Sequence, residues 1–127
     1  MRILLDSHIF LWAITGDARL SKRHRDLFLE EGNDLLLSVA SLWEILIKTG
    51  LGRLPLPQPA AAYLAKQMEQ NRIAMLGIRA AHLEALETLP PLHRDPFDRM
   101  LVAQALSERM PMLSVDKGIK KYGVKVF

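Results

Sequence analysis

The chain has 127 residues, 50% hydrophobic and 24% charged, which suffices for one compact domain over residues 1–127 and not for two. Seventeen Lys and Arg against 14 Asp and Glu give a net charge of +3, mildly basic and only weak support for a polyanionic partner. The lack of cysteine excludes disulfides and thiolate metal sites. No run approaches the ~20 apolar residues of a membrane span, and the first apolar run is cut at Asp6, unlike a signal peptide, so a cytoplasmic chain is expected.

Residues 2–6 read as a short buried strand ending in Asp6. Ser7 is placed to cap a helix over 8–14, which Gly16 ends. Ser21 opens a helix over 22–31, closed by Gly32-Asn33, and 34–38 is a second strand. A helix over 39–49 follows, then a proline arm with Pro55, Pro57 and Pro59, which must be extended. An alanine-rich helix over 60–71, a strand over 73–78 and a helix over 79–89 lead to the Pro90-Pro91 break. Pro96 sits in the first turn of a helix running to about Arg109. Residues 112–115 form a strand ending in Asp116, 117–121 a short helical turn and 124–127 a last strand. Strands alternating with helices predict an α/β fold, a central parallel sheet of four to five strands flanked by helices.

Four acids stand out. Asp6 and Asp116 each end an apolar strand; if the strands are parallel, both carboxylates reach the sheet edge where ligands bind in open α/β folds. Either could instead begin a turn or cap a helix. Glu44 is one charge among Leu42, Trp43, Ile45, Leu46 and Ile47, on a helix expected to be buried over most of its surface, so its carboxylate needs a partner, a proton or a metal. A capping box from Ser41 to Glu44 is the competing reading. Asp98 follows Asp95-Pro96-Phe97, a good helix start that would by itself explain both aspartates. Acids gathered in one cleft repel unless a cation lies between them, and hard divalent cations prefer carboxylate oxygen. Setting these four aside leaves 10 acids against 17 bases, about +7 over the remaining surface, which suits a polyphosphate substrate.

Four stretches carry a family resemblance: Ile3-Leu4-Leu5-Asp6-Ser7-His8-Ile9-Phe10-Leu11-Trp12, Ser38-Val39-Ala40-Ser41-Leu42-Trp43-Glu44-Ile45, His93-Arg94-Asp95-Pro96-Phe97-Asp98-Arg99-Met100-Leu101-Val102-Ala103-Gln104-Ala105, and Leu113-Ser114-Val115-Asp116-Lys117. In this order and end to end, the chain resembles the PIN-domain ribonucleases, specifically the toxins of VapBC-type toxin–antitoxin pairs. The third stretch is the most specific. The resemblance implies that Asp6, Glu44, Asp98 and Asp116 are the catalytic, metal-binding acids, holding one or two Mg²⁺ or Mn²⁺ ions. It also implies an RNA substrate, a cognate antitoxin partner and a homodimer. Asp95 falls where many similar proteins carry a further acid and is read as cap or outer support; Ser7 and Ser114 fall where a small hydroxyl residue is common.

Arg94 and Arg99 flank the third acid and Lys117 follows the fourth. They are candidates to hold phosphate oxygens, or equally to balance the carboxylates. Among the histidines, His24 reads as solvated and His82 as facing solvent or a neighbouring helix. His8 and His93 read as structural, though near enough to the acids to touch substrate or orient a carboxylate. Trp12 and Trp43 read as core aromatics. The expected function is metal-dependent endoribonuclease, by in-line attack of activated water on a backbone phosphate. A metal-dependent phosphatase and a non-catalytic RNA- or antitoxin-binding scaffold are the alternatives. A phosphoacceptor signalling domain fits poorly, because the second and third acids fall on helices.

Overall fold

The structure, a computed structural model, describes all 127 residues. Its elements in chain order are β1 (Arg2–Leu5), α1 (Ser7–Thr15), α2 (Lys22–Leu29), β2 (Asp34–Ser38), α3 (Val39–Gly50), α4 (Ala60–Gln70), β3 (Ala74–Leu76), α5 (Ala80–Thr88), α6 (Pro96–Glu108), β4 (Met112–Leu113) and α7 (Lys117–Lys120). The sheet has four parallel strands in the order β3-β2-β1-β4. The expected fifth strand is a single bridge: Val126 pairs with Met112, whose amide donates to the Lys125 carbonyl over 2.9 Å.

Alternation along the strands builds two cores, as the period of 2 requires. Ile3, Leu5, Leu35, Leu37 and Leu113 face one side, against Ile9 and Phe10 of α1, Phe28 of α2, Ile45 of α3 and Leu64 and Met68 of α4. Leu4, Leu36 and Met112 face the other, against Leu101, Val102 and Ala105 of α6 and Ile119 of α7. Strands covered on both faces must be apolar at every position, which is why β1 and β2 read as unbroken Leu and Ile runs.

The chain leaves β1 in one direction to build β2 and β3, then returns to place β4 on the opposite side of β1. The strand order reverses at the β1/β4 boundary, the position at which open α/β sheets form a ligand crevice at the carboxyl ends of their strands.

Local signals set most helix ends. Ser21 Oγ accepts the His24 amide, and Gly16 ends α1 in the left-handed conformation at φ 65°. Three expectations fail because tertiary partners override local pattern. Asp6, not Ser7, occupies the N-cap position of α1, and its side chain makes no cap bond. His24 is buried, with Nε2 2.8 Å from the Phe127 carbonyl oxygen, whereas His82 does face a neighbouring helix, wholly buried with Nε2 3.2 Å from Glu108 Oε2 of α6. Trp43 is 61% exposed and meets Phe97 edge-on at 5.3 Å, so α3 is apolar beyond what it buries.

Candidate metal centre

The crevice is lined from four parts of the chain. Asp6 lies at the end of β1 and its amide donates to the Leu113 carbonyl over 2.9 Å, which ties it to β4. Ser114, just past β4, donates its hydroxyl to Asp6 Oδ2 over 2.7 Å and accepts the Asp116 amide over 3.0 Å. One small side chain thus registers two acids 110 residues apart in sequence. Asp116 caps α7, with Oδ1 accepting the Gly118 amide over 2.7 Å.

Asp98 arrives on the first turn of α6. Asp95 Oδ1 accepts the amides of Phe97 and Asp98 over 2.8 and 3.2 Å, so Asp95 is the N-cap and its carboxylate is spent on the helix start. Asp98 is left free to face the crevice. His93 Nε2 lies 3.0 Å from Asp116 Oδ2 and 3.4 Å from Asp98 Oδ2. Ligand atoms of His93, Asp98 and Asp116 all fall within 4.8 Å of one another.

Neither Asp6 nor Glu44 is among the side chains whose ligand atoms converge within 4.8 Å, and Glu44 connects to the site through Ser7. Its Oε1 accepts the Ser7 hydroxyl over 2.9 Å, and Ser7 is the residue after Asp6; its Oε2 pairs with Lys48 Nζ at 3.4 Å, one helical turn on. The capping-box alternative falls, because Ser38 caps α3 and Glu44 turns away from the helix start. The Ser41 hydroxyl is buried without a partner.

The electrostatics record the crowding. Burial, followed by the charges of Asp6, Asp95 and Asp116, pushes Asp98 up to about 7 despite the pull of His93. Burial also raises the Asp6 carboxyl above the usual aspartate range, against the Ser114 hydrogen bond and the charge of His8. Burial works to raise Asp116 as well, but hydrogen bonds from His93 and the Gly118 amide outweigh it and hold this carboxyl low. The Asp116 hydrogen bond leads the influences drawing His93 above its ordinary value. A second proton on that ring would meet the Asp95 amide, which already donates to Nδ1 over 3.0 Å, so geometry opposes the charge. Carboxylates that cannot all ionise without help form a donor set suited to a hard cation such as Mg²⁺ or Mn²⁺.

The basic candidates divide. Arg94 and Lys117 are exposed and make no ion pair. Arg99 is committed elsewhere: it donates to the Pro90 carbonyl over 2.9 Å, the Leu89 carbonyl over 3.4 Å and the Tyr122 hydroxyl over 3.0 Å. That hydroxyl in turn accepts the amides of Leu92 and His93 over 3.0 and 2.9 Å. Arg99 therefore braces the loop before α6. Arg99→Met is expected to cost about 0.5–1.5 kcal/mol in urea unfolding, because it removes the charged donor that ties the Leu89 and Pro90 carbonyls to the Tyr122 hydroxyl.

The residue that sequence reasoning undervalued is His93. Its closeness to Asp95 was visible in the chain, whereas its contact with Asp116, 23 positions on, exists only once β4 docks beside β1. His8 is exposed and tilts against Trp12 at 5.8 Å.

Residues 3–125 match the family model described as PIN domain. The chain belongs to the PIN domain family. Over 81 residues this PIN domain is 37% identical to Ribonuclease VapC16 of Mycobacterium tuberculosis, in a match covering 55% of this chain and 57% of that protein. The chain thus spans little more than half the length of that relative. Among solved structures, the PIN domain superposes on VapBC2 from Rickettsia felis, crystallised on a DNA fragment of its promoter. The TM-score is 0.76 and the identity 16%, covering 100% of this chain and 98% of the other. It also superposes on FitAcB from Neisseria gonorrhoeae at TM-score 0.66 and 19% identity, covering 100% of this chain and 96% of the other. At such identities the likeness is one of fold.

Proposed function

We propose that this PIN domain is a metal-dependent endoribonuclease, the toxin of a toxin–antitoxin pair, and that residues 1–127 act as a single catalytic domain. The observation that carries the reading is Asp98. A carboxyl held near 7 by burial and three neighbouring acids marks a concentration of negative charge at the β1/β4 crevice that a divalent cation would neutralise. Asp6, Asp98 and Asp116 would hold one or two Mg²⁺ or Mn²⁺ ions, with Glu44 as a further acid behind Ser7. Such an ion supplies Lewis acidity, polarising the scissile phosphate and making water a better nucleophile.

The protein's own part is positional. Ser114 orients Asp6, the Gly118 amide and His93 orient Asp116, and the Asp95 cap aims Asp98 into the crevice. Arg94 and Lys117, exposed at the rim, would receive the phosphates on either side of the cut. An open acidic crevice accepts a single-stranded or looped RNA, whose backbone can bend to present one phosphate, better than a stiff duplex. No helix is long and apolar enough to cross a membrane.

The exposed apolar face of α3, with Trp43, Leu46, Ile47 and then Leu51, supports the view that the chain works in complex with an antitoxin and a second copy of itself. The fold it shares with VapBC2 and FitAcB is consistent with that reading. The deciding experiment is incubation with end-labelled RNA in Mg²⁺ or Mn²⁺, alongside a phosphomonoester. Internal cuts that stop in EDTA are expected; cutting that persists in EDTA overturns the metal mechanism. Turnover of the monoester alone would make the protein a phosphatase.

A further inference from the structure

We infer that His93 is a positioning residue: its Nε2–H aims the Asp116 carboxylate toward the cation without itself ligating it. The inference rests on the metal-centre reading and assigns one of its parts. A histidine and two aspartates with ligand atoms inside 4.8 Å would ordinarily suggest three ligands. The far side of the imidazole argues otherwise.

Nδ1 accepts the backbone amide of Asp95 over 3.0 Å. A backbone amide can only donate, so Nδ1 must present its lone pair, and in a neutral imidazole the proton then resides on Nε2. A ligating Nε2 would need its own lone pair and would move the proton to Nδ1, setting two N–H groups against each other. Metal-binding histidines normally turn their outer nitrogen toward an acceptor such as a carbonyl or carboxylate; here it meets a donor. What Nε2 offers is an N–H, 3.0 Å from Asp116 Oδ2 and 3.4 Å from Asp98 Oδ2. With the Gly118 amide on Oδ1, both oxygens of Asp116 are held, and its rotation is restricted.

The ring is locked in place from several directions. The amides of Leu92 and His93 share the Tyr122 hydroxyl, which fixes the backbone. The residue that fixes the tautomer, Asp95, also caps the helix carrying Asp98. The ring lies against Gly118, where an added Cβ would fall 2.7 Å from His93 Cδ2 and 3.1 Å from Asp116 Oδ1. Gly118 has an ordinary helical backbone, so the demand there is for space alone.

The test uses the whole chain and Mn²⁺ as the probe. Mn²⁺ affinity is measured by calorimetry, and pulsed EPR of the bound ion looks for coupling to a coordinated imidazole ¹⁴N. Wild-type protein is expected to show no such coupling. His93→Ala is expected to weaken Mn²⁺ binding about 10–100-fold, the usual effect of losing an outer-shell partner. His93→Gln, which keeps an N–H donor, should recover part of the loss. Gly118→Ala, which keeps the imidazole but displaces it, should weaken binding in the same direction and serves if His93→Ala does not fold. An imidazole ¹⁴N coupling that disappears in His93→Gln would show ligation and overturn the inference. So would Mn²⁺ affinity unchanged within about threefold in the folded His93 and Gly118 variants. If the wild type binds no Mn²⁺, the metal centre fails first and this assignment falls with it, a result distinct from binding that ignores His93.

Discussion

Asp98→Asn is expected to abolish metal-dependent RNA cleavage and, in the same protein, to raise the melting temperature measured in EDTA. The two effects share one cause. In the folded, metal-free chain Asp98 is mostly buried and faces Asp6, Asp95 and Asp116, so its charge is unfavourable until a cation arrives. Asn keeps the shape and removes the charge. On the proposed reading Asp98 is a metal ligand, and its loss lowers kcat on the order of 10²–10³-fold or more. The apo-protein loses a repulsion, for a gain of roughly 1–3 kcal/mol at pH 8, which is several degrees for a domain of this size. Functional sites commonly carry such a cost in stability. RNA cleavage assays and thermal melts of the two proteins, run side by side, check both halves. A variant that is inactive because it is less stable would contradict the account.

Metal-free wild-type protein is expected to lose stability as pH rises from about 4 to 7. Asp98 carries a folded-state pKa of about 7 against 3.8 for an ordinary aspartate. Between those values the folded chain binds more protons than the unfolded one, and stability must fall with rising pH. The size is on the order of 3 kcal/mol across the window. Asp6, also raised, acts in the same sense. Asp116, held low, acts oppositely, but its contribution changes only below about 4, as acid protonates it. Urea unfolding in EDTA at pH 5 and pH 8 measures the slope, and Asp98→Asn should flatten most of it. The mirror effect belongs to the metal: Mn²⁺ should bind more weakly below pH 7, where a proton competes for Asp98. A stability profile that is flat in EDTA would mean that the acids do not crowd one another.

Features that act over a few residues were legible in the chain. Ser21, Gly16 and the Asp95-Pro96 start behave as their chemistry dictates, because a cap or a left-handed turn bonds to its own neighbours. The alternation of strands with helices announced a parallel sheet flanked by helices, and the apolar runs that stop at Asp6 and Asp116 placed those acids at strand ends. Ser7 misled because a hydroxyl at a helix start suits both a cap and a partner elsewhere; Glu44, 37 residues away, claimed it. His24 misled for a related reason. Polarity sets only a preference for water, and a buried ring is stable where the Phe127 carbonyl meets its Nε2.

From the order of its residues alone, this protein is an alternating α/β chain with acids delivered to strand ends and helix starts, since periodicity and capping are local physics. Docking decided the rest. Whether Trp43 is covered, whether Arg99 holds a loop or a phosphate, and whether His93 reaches Asp116 all depend on which elements pack together. Such contacts join residues tens of positions apart, and their free energies exist only when burial of the two cores has already brought β4 beside β1.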